Sequence, residues 1–229
     1  ELNSVSPEMN EGGGLKLEQA GNPLFTLAGK EAIPLNIELN EEKILLLSGP
    51  NAGGKTVVLK SLGLYALMAQ CGLFIPANKA QFPIYTKFMA DIGDRQSIED
   101  DLSTFSAHIQ NLATIVERAD QNTLILLDEL GTGTDPDAGA ALSRAIMESL
   151  IQKNCTVIAT THLGSLKVWA SDEKGIINGG MIFDSEALAP TYELQLGTPG
   201  ASYALEISKR MGLSDDIINR SKELVGDGS

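Results

Sequence analysis

Lys43-Ile44-Leu45-Leu46-Leu47-Ser48-Gly49-Pro50-Asn51-Ala52-Gly53-Gly54-Lys55-Thr56 decides the fold. It opens on a short continuous apolar run, the pattern of a strand covered on both faces. The stretch from Gly49 fits Gly-x-x-x-x-Gly-Lys-Thr, and from Thr56 to about Leu73 apolar residues such as Leu59, Leu62 and Leu67 recur at helical intervals. Strand, Gly-rich turn and helix follow one another directly, the context a phosphate-binding loop requires. The glycines let successive N–H groups face an anion at the helix N-terminus. Lys55 adds a point charge for the outer phosphates and Thr56 a hydroxyl for magnesium. Gly49, Pro50, Asn51, Ala52, Gly53, Gly54, Lys55 and Thr56 are therefore the expected nucleotide contacts. A Gly-rich turn that merely caps a helix is the competing reading, and it is disfavoured because motif and context coincide.

Outward from this unit, Thr123 to Asp128 and Thr156 to Thr161 are further continuous apolar runs. Asp135-Pro136 reads as an N-cap with proline at the first helical position, opening a helix to about Gln152. Alternating strands and helices predict an α/β fold with a mainly parallel central sheet flanked by helices. Near the end, Gly212 stops one helix and Ser214 caps another through Ile217, Ile218 and Leu224. The expected organisation is a disordered or linker remnant over 1–14 and one domain over 15–229.

The chain has 229 residues, with Lys plus Arg 17 against Asp plus Glu 30, a net charge of −13. That sign is wrong for a surface that wraps a phosphate backbone, so nucleic-acid contact is expected to be local or made elsewhere. Cys71 and Cys155 are not spaced as a redox pair or as zinc ligands and read as buried thiols of a reducing compartment. Neither a secretory signal nor an apolar run of membrane-spanning length is found, so a soluble, cytoplasmic protein is expected. The chain opens without Met, near Gly12-Gly13-Gly14, and reads as a piece of a longer one.

Asp128-Glu129 ends the strand beginning at Thr123. Acidic residues often end strands simply by meeting solvent, but beside a phosphate loop Asp128 is expected to hold magnesium and Glu129 to accept a proton from the attacking water. His162 ends the next strand, where α/β sites gather, and either contacts the γ-phosphate or orients Glu129. His108 lies on a predicted helix and reads as structural. Ser103, before a helical run, fits both an N-cap and an anion site. The loop Gly131-Thr132-Gly133-Thr134-Asp135 lies close enough to Glu129 in sequence to communicate with it.

The succession of phosphate loop, Gln96 after Asp91-Ile92-Gly93-Asp94-Arg95, Ser103-Thr104-Phe105, Asp128-Glu129, Gly131 to Asp135 and Thr161-His162 resembles the ATPase domain of the MutS family, within the ABC-type ATPase superfamily. Leu102-Ser103-Thr104-Phe105-Ser106, Thr134-Asp135-Pro136 and Gly197-Thr198-Pro199-Gly200 look most like the second bacterial MutS branch, the MutS2 type. The resemblance covers about residues 20 to 225. It implies a P-loop NTPase fold of the ABC-ATPase type and a head-to-head homodimer with composite ATP sites. Ser103 would meet the γ-phosphate in trans, and Gln96 would couple that phosphate and its magnesium to the rest of the chain. The Gly131 to Asp135 loop would link the two sites, His162 would be the switch histidine, and the helical segment at about 204–225 would help dimerise the domain. Where the family commonly has His-Pro-Leu-Leu, this chain has Asn22-Pro23-Leu24-Phe25. Ile33 and Tyr192 are candidates for packing against adenine, since an aromatic face can stack on a base, and core packing is the favoured reading of both.

The resulting expectation is an ATPase using ATP and Mg2+, with Glu129, His162 and Lys55 as catalytic residues. It would control nucleic-acid clamping in recombination suppression, DNA repair through mismatched or branched DNA recognition, or rescue of stalled ribosomes. DNA or ribosome contact would be made by regions outside this chain. Two other readings are an ATP-dependent dimerisation switch with negligible turnover and the ATPase subunit of a transporter. The complete Asp128-Glu129 pair argues against the first, and Ser103-Thr104-Phe105 in place of a Ser-Gly-Gly signature argues against the second.

Overall fold

The computed structural model describes residues 3–50, 53–93, 101–184, 187, 189–201 and 203–226, with side chains left aside at 101–104, 225 and 226. In chain order the elements are β1 (Glu8–Asn10), β2 (Leu15–Ala20), α1 (Pro23–Leu27), β3 (Leu35–Leu39), β4 (Ile44–Ser48), α2 (Lys55–Gln70), β5 (Lys79–Pro83), β6 (Lys87–Asp91), α3 (Asp101–Arg118), β7 (Thr123–Leu127), α4 (Pro136–Gln152), β8 (Thr156–Thr160), α5 (Gly164–Asp172), β9 (Ile176–Asp184), β10 (Ala189–Leu196), α6 (Ala204–Arg210) and α7 (Asp215–Gly226).

The continuous apolar run of β4 lies in the middle of a six-stranded sheet, ordered β10-β9-β4-β8-β7-β6, and every one of its residues is buried. All pairings in this sheet are parallel except that of the edge strand β10 with β9. Side chains alternate across the pleat. Leu45 and Leu47 therefore join one core with Leu59, Leu62 and Tyr65 of α2. Ile44 and Leu46 join the other, with Ile115 of α3, Met147 of α4 and Leu166 of α5. Each fully buried leucine contributes about 1.5–3 kcal/mol of apolar burial, which is why the strand that carries the phosphate loop is a rigid mount.

A second, four-stranded sheet, ordered β1-β5-β2-β3, closes over the far side of α2. Strand β2 runs antiparallel to both β3 and β5, alternating buried Leu15 and Leu17 with outward Lys16 and Glu18. Within the segment expected to be a linker remnant, Glu8–Asn10 form a strand of this sheet. Strand β1 pairs parallel with β5, Met9 opposite Phe82, and Val5 bridges Ile75. Main-chain pairing to a strand edge needs no apolar run, so a polar sequence concealed it.

Helix α2 stops at Gln70, with Cys71 as its C-cap, and this terminal position leaves the Cys71 thiol exposed instead of buried. Cys155 is buried as expected, and burial pushes its thiol up to about 11. Asp135 caps α4 through its carboxylate, which accepts from Asp137 N and Ala138 N, with Pro136 at the first helical position. Ser103 lies inside the first described turn of α3 and is not its N-cap. Among the described residues, no helix is long and apolar enough to cross a membrane.

Candidate functional site

The carboxyl ends of β4, β7 and β8 meet at one edge of the six-stranded sheet, where open α/β sheets place ligands. Gly54, at φ 93°, is the N-cap of α2 in a left-handed conformation that favours glycine, and no side chain caps the helix among the described residues. The first-turn N–H groups of α2 are thus left for an anion. Lys55 is 3 % exposed and its ammonium is folded into the loop, donating to Gly49 O at 2.7 Å and Pro50 O at 3.1 Å. Burial lowers its pKa, opposed by the nearby Glu129 carboxylate. An ammonium so placed gains from any anion that enters the loop.

Strand β8 lies between the loop strand β4 and the acidic strand β7, and Thr160 at its end holds both acidic residues that follow β7. The Thr160 hydroxyl donates to Asp128 Oδ1 at 2.7 Å and accepts from Glu129 N at 2.7 Å. Thr56 Oγ1 donates to the same Asp128 oxygen at 3.2 Å. Glu129 itself has φ 55°, a strained conformation for a residue with a side chain, and such strain clusters at functional sites. His162 Nε2 is 3.5 Å from Glu129 Oε1 and has no hydrogen-bond partner among the described residues. Burial, then the Lys55 charge, lowers the His162 pKa, with Glu129 opposing both.

The adjoining hydroxyl of Thr56 and carboxylate of Asp128 are the hard oxygen donors that suit a magnesium ion also held by phosphates. Beside Gly54 lies a cavity of about 280 Å³, walled by Phe25, Ile33, Val57, Tyr65 and Tyr192 among others. Ile33 and Tyr192 are 41 % and 52 % exposed, so neither is a core residue. Tyr192 has φ 61°, and its Cδ1 is 3.2 Å from where a Cβ on Gly54 would stand. Asn22 accepts from Leu24 N at 2.9 Å, capping α1, and donates to Ser61 Oγ at 2.7 Å, at the wall of the same cavity.

The structure thus brings together Gly49, Pro50, Gly53, Gly54, Lys55, Thr56, Asp128, Glu129 and His162, with Ile33 and Tyr192 at the adjoining cavity. Asn51, Ala52 and Gln96 lie outside the described residues, as does the Ser103 side chain. Sequence reasoning missed Thr160, whose neighbours in the strand are ordinary. It also gave no role to the backbone of Gly200, whose N–H donates to Ser48 Oγ at 2.8 Å. A Cβ on Gly200 would stand 2.5 Å from Ser48 O, so only glycine brings this segment against the base of the phosphate loop. The Gly197-Thr198-Pro199-Gly200 stretch was visible as a motif, but its target was not.

A phosphate loop on a central parallel strand, facing an acidic pair two strands away, defines a P-loop ATPase-type domain. Residues 45–227 match the family model described as MutS domain V, and the chain belongs to that family. It is 45 % identical over 242 residues to a protein named Endonuclease MutS2 from Thermomicrobium roseum, the match covering 100 % of this chain and 30 % of the relative. Identity is 47 % to the Endonuclease MutS2 of Finegoldia magna, covering 98 % of this chain and 29 % of that protein. It is also 47 % to that of Thermus thermophilus, covering 93 % and 28 %. The chain therefore spans about three tenths of the length of these relatives.

Proposed function

We propose that the chain is the ATP-binding and ATP-hydrolysing motor domain of a MutS2-like protein, dimerising around ATP to control how attached regions grip nucleic acid. The observation that carries this reading is the relay from Thr56 through Asp128 and Thr160 to Glu129. In it, Lys55 and the N-terminus of α2 hold the phosphates, and Thr56 and Asp128 hold Mg2+, which neutralises charge on the outer phosphates. Glu129 accepts a proton from the attacking water, and His162 orients the Glu129 carboxylate or the γ-phosphate. Gln96 couples the γ-phosphate and its magnesium to the rest of the chain. Ile33 and Tyr192 pack against the adenine in the cavity beside Gly54.

The site is half of a composite one in this proposal. Ser103, at the start of α3, meets the γ-phosphate bound by a second copy of the chain, and the loop from Gly131 to Asp135 connects the two sites. Helices α6 and α7 join the copies, and exposed Ile207 on α6, Met211 at its C-cap, and Ile217 and Leu224 on α7 support that role. The net charge of −13 favours placing DNA or ribosome contact in regions outside this chain, as for recombination suppression or ribosome rescue. Strand cleavage, which the relatives' name mentions, is not assigned to these residues.

Phosphate release from ATP and Mg2+, measured across protein concentration, tests the reading. Specific activity that rises with concentration is expected of a site completed in trans. Constant specific activity would overturn the composite site, and no release at any concentration would overturn hydrolysis.

A further inference from the structure

Asp91 ends β6 and is 6 % exposed. Its main-chain carbonyl accepts from Asp128 N at 2.9 Å, so it holds the backbone of the residue to which the magnesium role falls. Its carboxylate turns the other way, toward α3. Asn111 Nδ2 donates to Asp91 Oδ1 at 2.7 Å and to Ala90 O at 3.2 Å, and His108 Nδ1 pairs with Asp91 Oδ2. His108 and Asn111 are three residues apart, on one face of the helix.

A second contact meets α3 from the loop that follows the acidic pair. Phe105 and His108 wall a small cavity together with Gly131, Thr132 and Thr134, and a Cβ on Gly133 would stand 3.6 Å from Phe105. Helix α3 is thereby held both to Asp91, whose carbonyl receives Asp128 N, and to the loop that follows Glu129. Its apolar contacts through Leu112 and Ile115 bury area but are not directional. Hydrogen bonds to a buried carboxylate are directional and costly to leave unmade, so they set the position of the helix along the strand ends.

We propose that Asp91, His108 and Asn111 form a latch that transmits occupancy of the nucleotide site at Asp128 to helix α3, and through it to Ser103. They are positioning residues that touch no substrate. This inference rests on the nucleotide-site reading above and adds the route by which one half-site reports to the other. A small shift of Asp128 toward a bound ion and phosphate pulls on Asp91 through the main chain. The two side-chain bonds then carry that shift into the helix.

Hydrogen exchange of the amides of α3 and of the first turn of α2 tests it, with and without a non-hydrolysable ATP analogue plus Mg2+. In the parent chain the analogue should slow exchange in both helices, in α3 by about tenfold. In Asn111→Leu and His108→Ala the α2 effect should persist while the α3 effect falls below about twofold. His108→Asn, whose side-chain amide nitrogen replaces imidazole Nδ1, should restore it and keeps the test open if a truncated variant fails to fold. A merely stabilising role would lower the melting temperature without uncoupling α3. Variants that keep the parental α3 response would overturn the latch, as would a parent that protects α2 but not α3, and both leave the nucleotide site standing. A parent that protects neither helix would overturn that site and the latch with it.

Discussion

Thr160 Oγ1 lies 2.7 Å from Asp128 Oδ1, and its hydroxyl is spent on that carboxylate while also receiving Glu129 N. One side chain from the intervening strand therefore places both acidic residues. Thr160→Val keeps the volume and removes the hydroxyl, leaving Glu129 N without its acceptor and Asp128 Oδ1 with only the 3.2 Å bond from Thr56. The expected stability cost is about 1–3 kcal/mol by chemical denaturation. Turnover should fall by about a hundredfold as the acidic pair loses its position. Thr160→Ser should retain most of both, and parental turnover in the valine variant would contradict the assignment.

Lys55 and Glu129 should separate binding from chemistry. Lys55→Ala removes charge-assisted bonds worth about 1.5–3 kcal/mol to a phosphate, so ATP affinity should drop by about ten- to a hundredfold in equilibrium titration. Glu129→Gln should bind ATP with near-parental affinity while releasing phosphate about a hundredfold more slowly. Equal turnover in the glutamine variant and the parent would remove Glu129 as the general base.

His162 makes acid sensitivity a test of position. Its folded-state pKa lies below the ordinary 6.5, so the imidazole is neutral at pH 7 and the unfolded chain binds the extra proton first. Its contribution to stability is present above 6.5 and is lost as pH falls through 6.5 toward the lower folded value. Unfolding curves between those values should flatten in His162→Gln. Activity that needs a neutral imidazole should show an acid limb below 6.5, absent in the same variant.

Tyr192 should matter for the base and not for the phosphates. Loss of an aromatic face worth about 0.5–1.5 kcal/mol predicts a Tyr192→Ala affinity for ATP reduced by about two- to twelvefold. Inorganic tripolyphosphate should compete equally well in parent and variant. An equal loss for both ligands would place the ring elsewhere in the binding process.

Gly131 joins the acidic pair to α4 and α5 by close approach. At φ 87°, a Cβ there would stand 2.5 Å from Leu163 Cδ1 and 2.7 Å from Ser143 Oγ. A Cβ on Gly139 would stand 2.3 Å from Gly131 O. Gly131→Ala and Gly139→Ala should each cost about 1–3 kcal/mol in thermal or chemical unfolding. Gly164→Ala, where a Cβ would meet open space, is the control and should melt close to the parent.

What the sequence determined by itself was local. A strand, its phosphate loop and the following helix are contiguous between Lys43 and Gln70, and the physics of each is written in neighbouring residues. The same holds for the Asp135-Pro136 start of α4 and for the acidic pair at the end of an apolar run. The first strand was not legible, because the pairing of Met9 with Phe82 is carried by main chain that any residue supplies. Cys71 was misjudged because exposure at a helix end depends on where the helix stops. Only tertiary structure decided that Thr160 serves Asp128, that Gly200 backs Ser48 and that Asp91 holds α3. These partners are far apart along the chain, and sheet order, which no short window of sequence contains, brings them within reach of hydrogen bonds only a few ångströms long.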